Sequence, residues 1–254
     1  MHRQALELKE KVLGPEKPDT LGSMNNLASV FESQGKYEEA EQMHRQTLEL
    51  FKKALGLKNP STLTSMNNLA NVLGRQGKYE QAEQMHRQTL ELFKKVLGLE
   101  NPSTLTSMNN LAGVLQSQGK YDEAEQMHRQ TMELQEKVLG PENPSTLASM
   151  NNLASVLESQ RKYEQAEQMH RQTLELFKKV LGLENPSTLT SMNNLASVLR
   201  SQGKYEEAEQ MHRQTLELMK KMLKPKHPST LKTRRNPQSI LDRWKDSSPT
   251  SSTH

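Results

Sequence analysis

Apolar residues along the chain fall in two alternating helical patterns. Over residues 60–76, Leu63, Met66, Leu69, Ala70 and Leu73 recur at steps of three and four, the spacing of one face of an α-helix. Asn59 followed by Pro60 supplies an N-cap and a first helical residue with a preset φ, and Gly77 stands where a left-handed cap ends a helix. The pattern therefore predicts a helix A from Pro60 to near Gln76. After a short turn, Tyr79, Ala82, Met85, Thr89, Phe93 and Val96 mark one face of a helix B that stops at Gly98. Glu80 and Glu83 in its first turns and Lys94 and Lys95 in its last complement the helix dipole, and are otherwise a solvated face. The unit holds two helices and no strand.

The same unit recurs. Pro18, Pro60, Pro102, Pro144, Pro186 and Pro228 lie 42 residues apart, as do Tyr37, Tyr79, Tyr121, Tyr163 and Tyr205. Five full units are expected over 18–227. Residues 1–17 hold the second helix of a partial repeat, and 228–254 hold the degenerate start of a sixth repeat and a basic, disordered tail. Met1 is equivalent to Met43, so the chain begins in mid-unit, as expected of a fragment.

Composition fits this organisation. Only 33% of the 254 residues are hydrophobic and 4% aromatic, too few for one deep core but enough for stripes that neighbouring repeats cover. The absence of cysteine excludes a disulfide scaffold and thiolate zinc, and with no apolar leader or membrane-length apolar run it places the chain in a reducing, cytoplasmic setting. The net charge of +4 resides in the tail, where seven Lys and Arg from Lys224 onward meet two Asp. The body is near neutral, which argues against nucleic acid as a partner.

The segments Asn68-Leu69-Ala70, Gly77-Lys78-Tyr79-Glu80-Gln81-Ala82-Glu83 and Thr89-Leu90-Glu91-Leu92 resemble the tetratricopeptide repeat. Leu69, Ala70, Ala82 and Thr89 occupy that family's packing positions, whereas Met66 and His86 stand where it often has tryptophan and an aromatic residue. The 42-residue period is most similar to the kinesin light chain type, and near-identical arrays of this kind also form the sensor region of fungal NOD-like receptors. The resemblance implies an all-α, right-handed superhelical solenoid of antiparallel helix pairs. It also implies a non-catalytic scaffold for a protein or peptide ligand.

No phosphate-binding loop, zinc-protease helix, nucleophile elbow or cysteine nucleophile occurs, so neither an enzyme nor a cofactor is expected. His44, His86, His128, His170 and His212 form a ladder, but equivalent positions on stacked helices lie about 8–10 Å apart, too far to share a metal at about 2.1 Å. These histidines, like the periodic methionines, are expected to pack between helices.

Asparagine pairs are the unusual feature, because asparagine is a poor helix former. They are Asn25 and Asn26, Asn67 and Asn68, Asn109 and Asn110, Asn151 and Asn152, and Asn193 and Asn194. In peptide-binding members of the resembled family, asparagines of helix A grip a ligand backbone in the concave groove. Against that stands a packing role, and one residue of each pair could serve each purpose. Differences among the copies cluster at Ser29, Asn71, Gly113, Ser155 and Ser197, and three residues on at Glu32, Gly74, Gln116, Glu158 and Arg200. These share a helix face with the first asparagine of each pair. The expectation is a scaffold that reads an extended peptide, with the asparagines giving generic grip and the varying positions specificity. The alternative is a structural spacer without a groove ligand. Uncapped ends could also stack chains end to end.

Overall fold

The computed structural model describes residues 2–223, and the sixth repeat start and tail lie outside them. Eleven helices follow in chain order: α1 (His2–Leu13), α2 (Pro18–Ser33), α3 (Tyr37–Leu55), α4 (Pro60–Arg75), α5 (Tyr79–Leu97), α6 (Pro102–Ser117), α7 (Tyr121–Leu139), α8 (Pro144–Ser159), α9 (Tyr163–Leu181), α10 (Pro186–Ser201) and α11 (Tyr205–Leu223). Among the described residues there is no strand. Even-numbered helices are the A helices, and the odd-numbered helix that follows each is its B partner.

Local chemistry sets these bounds. Asn59, Asn101, Asn143 and Asn185 each accept a hydrogen bond from the backbone N–H two residues on, at 2.9 Å, with proline at the first helical position. Lys17, at the start of α2, offers no such cap. The threonine two residues after each of these prolines is buried and ties the new helix to the end of the preceding B helix: Thr62 Oγ1 donates to the Gly56 carbonyl at 2.8 Å, and Thr104 to Gly98 at 2.8 Å. Each A helix closes through a residue with positive φ. This is Gly77 in the second repeat, at 78°, where a side chain would be strained.

The described residues divide into two compact units, one up to Leu139 and one from Gly140 onward. In the first, Leu6, Leu21, Met24, Leu27 and Phe51 form one apolar cluster, and Leu48, Leu63, Met66, Leu69, Leu73 and Phe93 belong to the next. Burying a side chain of this size stabilises the fold by about 1.5–3 kcal/mol, and stacking lets each repeat share that gain with its neighbour. In the second unit, α8 and α10 bury Leu147, Leu153, Leu157, Leu189, Leu195 and Leu199 in the same register, with Phe177 from α9. Within each unit successive A helices touch one another directly: α2 meets α4, α4 meets α6, and α8 meets α10. The A helices are thus the inner side of each unit and the B helices the outer.

Candidate functional site

Adjacent positions on a helix point about 100° apart, and the two asparagines of each pair accordingly meet different surroundings. The first faces the partner B helix. Asn25 Oδ1 accepts a hydrogen bond from His44 Nδ1 at 3.1 Å, Asn67 from His86 at 3.1 Å, Asn109 from His128 at 3.0 Å and Asn151 from His170 at 3.1 Å. Asn67 and Asn151 are buried, and their Oδ1 atoms also accept from Ser107 and Ser191 of the next A helix, at 3.3 and 3.4 Å. One amide therefore joins three helices. In the fifth repeat, His212 is half-buried and Asn193 Oδ1 is buried without a hydrogen bond. Four of the five first asparagines are thus engaged internally.

The second members, Asn26, Asn68, Asn110, Asn152 and Asn194, are exposed or half-buried on the inner side, and none makes a side-chain hydrogen bond. The varying positions follow the first members along their helix face, at steps of four and seven. Ser29 and Arg200 are exposed, while Asn71, Gly113, Ser155, Ser197, Glu32, Gly74, Gln116 and Glu158 are half-buried. In the first unit, five expected site residues come together: Asn71, Gly74, Asn109, Asn110 and Gly113 line an open cleft of about 500 Å³, completed by Arg75, Tyr79, Val114 and Ser117. Glu32 in the same unit turns away, reaching His44 Nε2 at 3.0 Å and Arg75 Nε at 3.4 Å. In the second unit, Glu158 accepts from Ser197 and Ser201, both at 3.0 Å.

His44, His86, His128 and His170 are buried between helices, and burial holds the last three down at about 4, so those three are neutral near pH 7. With Nδ1–H donated to an asparagine oxygen, Nε2 carries the lone pair, and in these three repeats that atom is buried without a partner. Among the described residues no group of three or more His, Cys, Asp or Glu side chains could hold a metal ion.

The outer side differs from the solvated face expected of it. Glu83 is nearly covered and accepts from Arg87 Nε at 2.9 Å and from Lys120 Nζ of the next repeat at 2.7 Å, while Arg87 reaches Glu123 at 2.8 Å. Burial would raise the Glu83 carboxyl, but the hydrogen bonds from Lys120, Arg87 and Gln118 outweigh it and hold it at about 2. Glu167, Arg171, Lys204 and Glu207 repeat the arrangement in the second unit.

The tetratricopeptide repeat pattern matches residues 1–53, 23–95, 61–137, 103–179, 148–221 and 187–236, nearly the whole chain. The chain belongs to the tetratricopeptide repeat family. Among solved structures, the repeats of a putative kinesin light chain from Podosopora anserina, described as nearly identical TPR-like repeats, are 29% identical, with a TM-score of 0.66 over 82% of this chain and 99% of that one. BtubC (BKLC) from P. vanneervenii is 21% identical, with a TM-score of 0.71 over 92% of this chain and 93% of that one, and shares the fold. The apo form of RapI shares it at 14% identity, with a TM-score of 0.61 over 87% of this chain and 59% of that one. Among proteins with curated functions, none matches. Tetratricopeptide repeats are in general non-catalytic protein-interaction scaffolds, and among the described residues no helix is long and apolar enough to cross a membrane.

Within this tetratricopeptide array the sequence did not disclose the asparagine–histidine bonds. The signal was present: both residues recur at the same period, 19 apart, each a polar residue in an otherwise apolar register. The Glu83–Lys120 bridge between repeats was likewise encoded at a constant spacing of 37.

Proposed function

We infer that this array binds an extended peptide segment of a protein partner along the inner side of its A helices. The observation that carries the reading is the division within the first four pairs. The first asparagine is consumed in packing, while the second presents an unused carboxamide, donor and acceptor together, at the same register on every A helix. A helix interior gains nothing from such a residue, since asparagine costs a few tenths of a kcal/mol relative to the better formers. A peptide backbone offers the complementary N–H and C=O groups. A-helix spacing of about 10 Å matches about three extended residues at about 3.3 Å each, so the amides fall into step with a strand-like ligand. The similarity to kinesin light chain repeats supports an adaptor or receptor-sensor setting for such binding.

The test is selection of a random-peptide display library on the full chain, beside a variant carrying Asn68→Ala, Asn110→Ala and Asn152→Ala. The expected result is a peptide consensus recovered by the parent and weakened about tenfold or more in the variant, whose melting point is unchanged because the residues make no internal bond. Recovery of no consensus by the parent overturns the reading and leaves the array a spacer.

A further inference from the structure

The last described B helix is covered less than its siblings. On α11, Tyr205 is 67% exposed, and His212 and Leu216 are half-buried where the corresponding histidines and Leu48, Leu90 and Leu174 are buried. Those leucines belong to the side that the next A helix covers, since Leu48 of α3 shares a cluster with Leu63 of α4. An acceptor stands open at the same end. Asn67 Oδ1 takes a hydrogen bond from the Ser107 hydroxyl and Asn151 Oδ1 one from Ser191, each 40 residues on in the following A helix, whereas Asn193 Oδ1 is buried without one. A buried amide oxygen left bare is costly, and a hydroxyl from a following helix is what satisfies it elsewhere in this chain.

The sequence beyond α11 holds such a hydroxyl in register. Residues 228–231, Pro-Ser-Thr-Leu, repeat residues 186–189, the family pattern matches through residue 236, and Thr233 stands 40 residues after Asn193. What is kept and what is lost divides by direction. Thr230, Leu231 and Thr233 hold the positions that reach back in the other repeats: the threonine bonded to the end of the preceding B helix, the leucine packed against that helix, and the hydroxyl bonded to the preceding A helix. Arg235 stands at the position of Asn67 and Asn151, which reach forward to the histidine of their own B helix. Pro237 ends the helical run, and residues 237–254 hold no Lys-Tyr pair of the kind that opens the B helices. Arg234 replaces the buried methionine of the siblings, and its alkyl stem can lie on the core while its guanidinium reaches water on the side a further helix would fill.

We propose that the open face of α10 and α11 is the docking site of this chain's own residues 228–235, two helical turns that place Leu231 over Leu216 and the Thr233 hydroxyl on Asn193 Oδ1. The segment closes the array. Its back-facing residues match the repeat and its forward-facing ones are charged, so it covers an apolar end and turns a polar surface outward, which is what a stacked array needs in order to stop. A second copy of the chain is the competing occupant. It has to be recruited from solution, whereas residue 228 lies five residues past Leu223 and is held beside the face at high effective concentration.

Amide hydrogen exchange of the full chain, read by mass spectrometry at several protein concentrations, tests this beside Leu231→Asp, Thr233→Ala, Thr233→Ser and, outside the segment, Ile240→Asp. Amides of α11 are expected to exchange about tenfold or more faster in Leu231→Asp and about fivefold faster in Thr233→Ala, while Thr233→Ser, which keeps the hydroxyl, and Ile240→Asp match the parent. The parent should sediment as a monomer. Unchanged α11 exchange in Leu231→Asp or in Thr233→Ala overturns the docking. Faster exchange in Ile240→Asp with none in Leu231→Asp also overturns it and assigns the face to residues further on. Protection of α11 that rises with protein concentration, together with dimers in sedimentation, overturns it by giving the face to a second copy.

Discussion

In the first repeat, His44 has an oxygen on each ring nitrogen, Asn25 on one side and Glu32 on the other, and the Glu32 carboxylate is also held by Arg75. In the second, His86 makes the same bond to Asn67, but its other nitrogen is buried and bare. The two histidines are equally deep, yet in the fourth repeat Glu158 turns to Ser197 and Ser201 and His170 Nε2 is as bare as that of His86, so the repeats differ in where this side chain goes and not only in whether it is present. Near-identical repeats are therefore not energetically equivalent, and each departure from the common unit marks a place to test that.

Acid should have the largest effect. His86, His128 and His170 are held at about 4, below the ordinary value of 6.5. Between those values the unfolded chain takes up protons that the folded chain refuses. Stability is thus complete above about pH 6.5, falls as pH falls through the window, and levels off near 4. Each histidine contributes a slope of up to about 1.4 kcal/mol per pH unit. Guanidinium midpoints measured from pH 7 to 4.5 are expected to fall steadily. The Glu83 bridge adds nothing there, because a carboxylate held at about 2 weakens only below about 4.5. Replacing His86 with Phe should flatten about a third of the slope. A flat profile in the parent would show that the buried rings take up protons without cost.

The third repeat departs in its core. Phe51, Phe93 and Phe177 are buried at equivalent positions on α3, α5 and α9, but α7 places Gln135 there, 4% exposed and with Oε1 unpartnered. Burying an amide oxygen without a donor costs about 1–3 kcal/mol, and the phenyl ring's own burial is lost besides. Gln135→Phe is expected to stabilise the fold by about 2 kcal/mol and to slow amide hydrogen exchange over residues 121–139 more than elsewhere. Unchanged exchange in α7 would mean that the glutamine is accommodated as well as phenylalanine.

How much of this could be read from the chain follows from range. The helix ends were legible because Asn59, Pro60 and Gly77 act on their own backbone, and the helices begin and end within a residue or so of where those signals place them. The apolar stripes were legible because period alone selects a face. Which asparagine of a pair faces inward was not, since Asn67 and Asn68 differ by one step of rotation and the partner, His86, is 19 residues away on another helix. The cleft was hidden for the same reason. Gly74 and Gly113 were visible as variable positions, but that they lie side by side depends on how α4 stacks on α6.

The smallest expected effect lies at the turn of the fourth repeat, where Arg161 replaces the glycine found at 35, 77, 119 and 203. Its φ is 63°, against 74° to 80° for those glycines, and its N–H still donates to the Glu158 carbonyl at 2.9 Å while Lys162 N–H reaches Leu157 at 2.9 Å. The helix cap is therefore intact and the strain is local to one residue. A left-handed conformation costs a side-chain-bearing residue about 1–2 kcal/mol. Glycine regains some entropy when unfolded, which takes back about half of that. Arg161→Gly should then raise stability by about 0.5–1 kcal/mol, and Gly77→Arg in the second repeat should lower it by a similar amount, both read as shifts in thermal midpoint. Equal and opposite shifts would locate the difference in the backbone. A loss on Arg161→Gly would mean that the exposed arginine makes a contribution larger than its strain, and the fourth repeat would then differ from the second by an interaction and not by a defect.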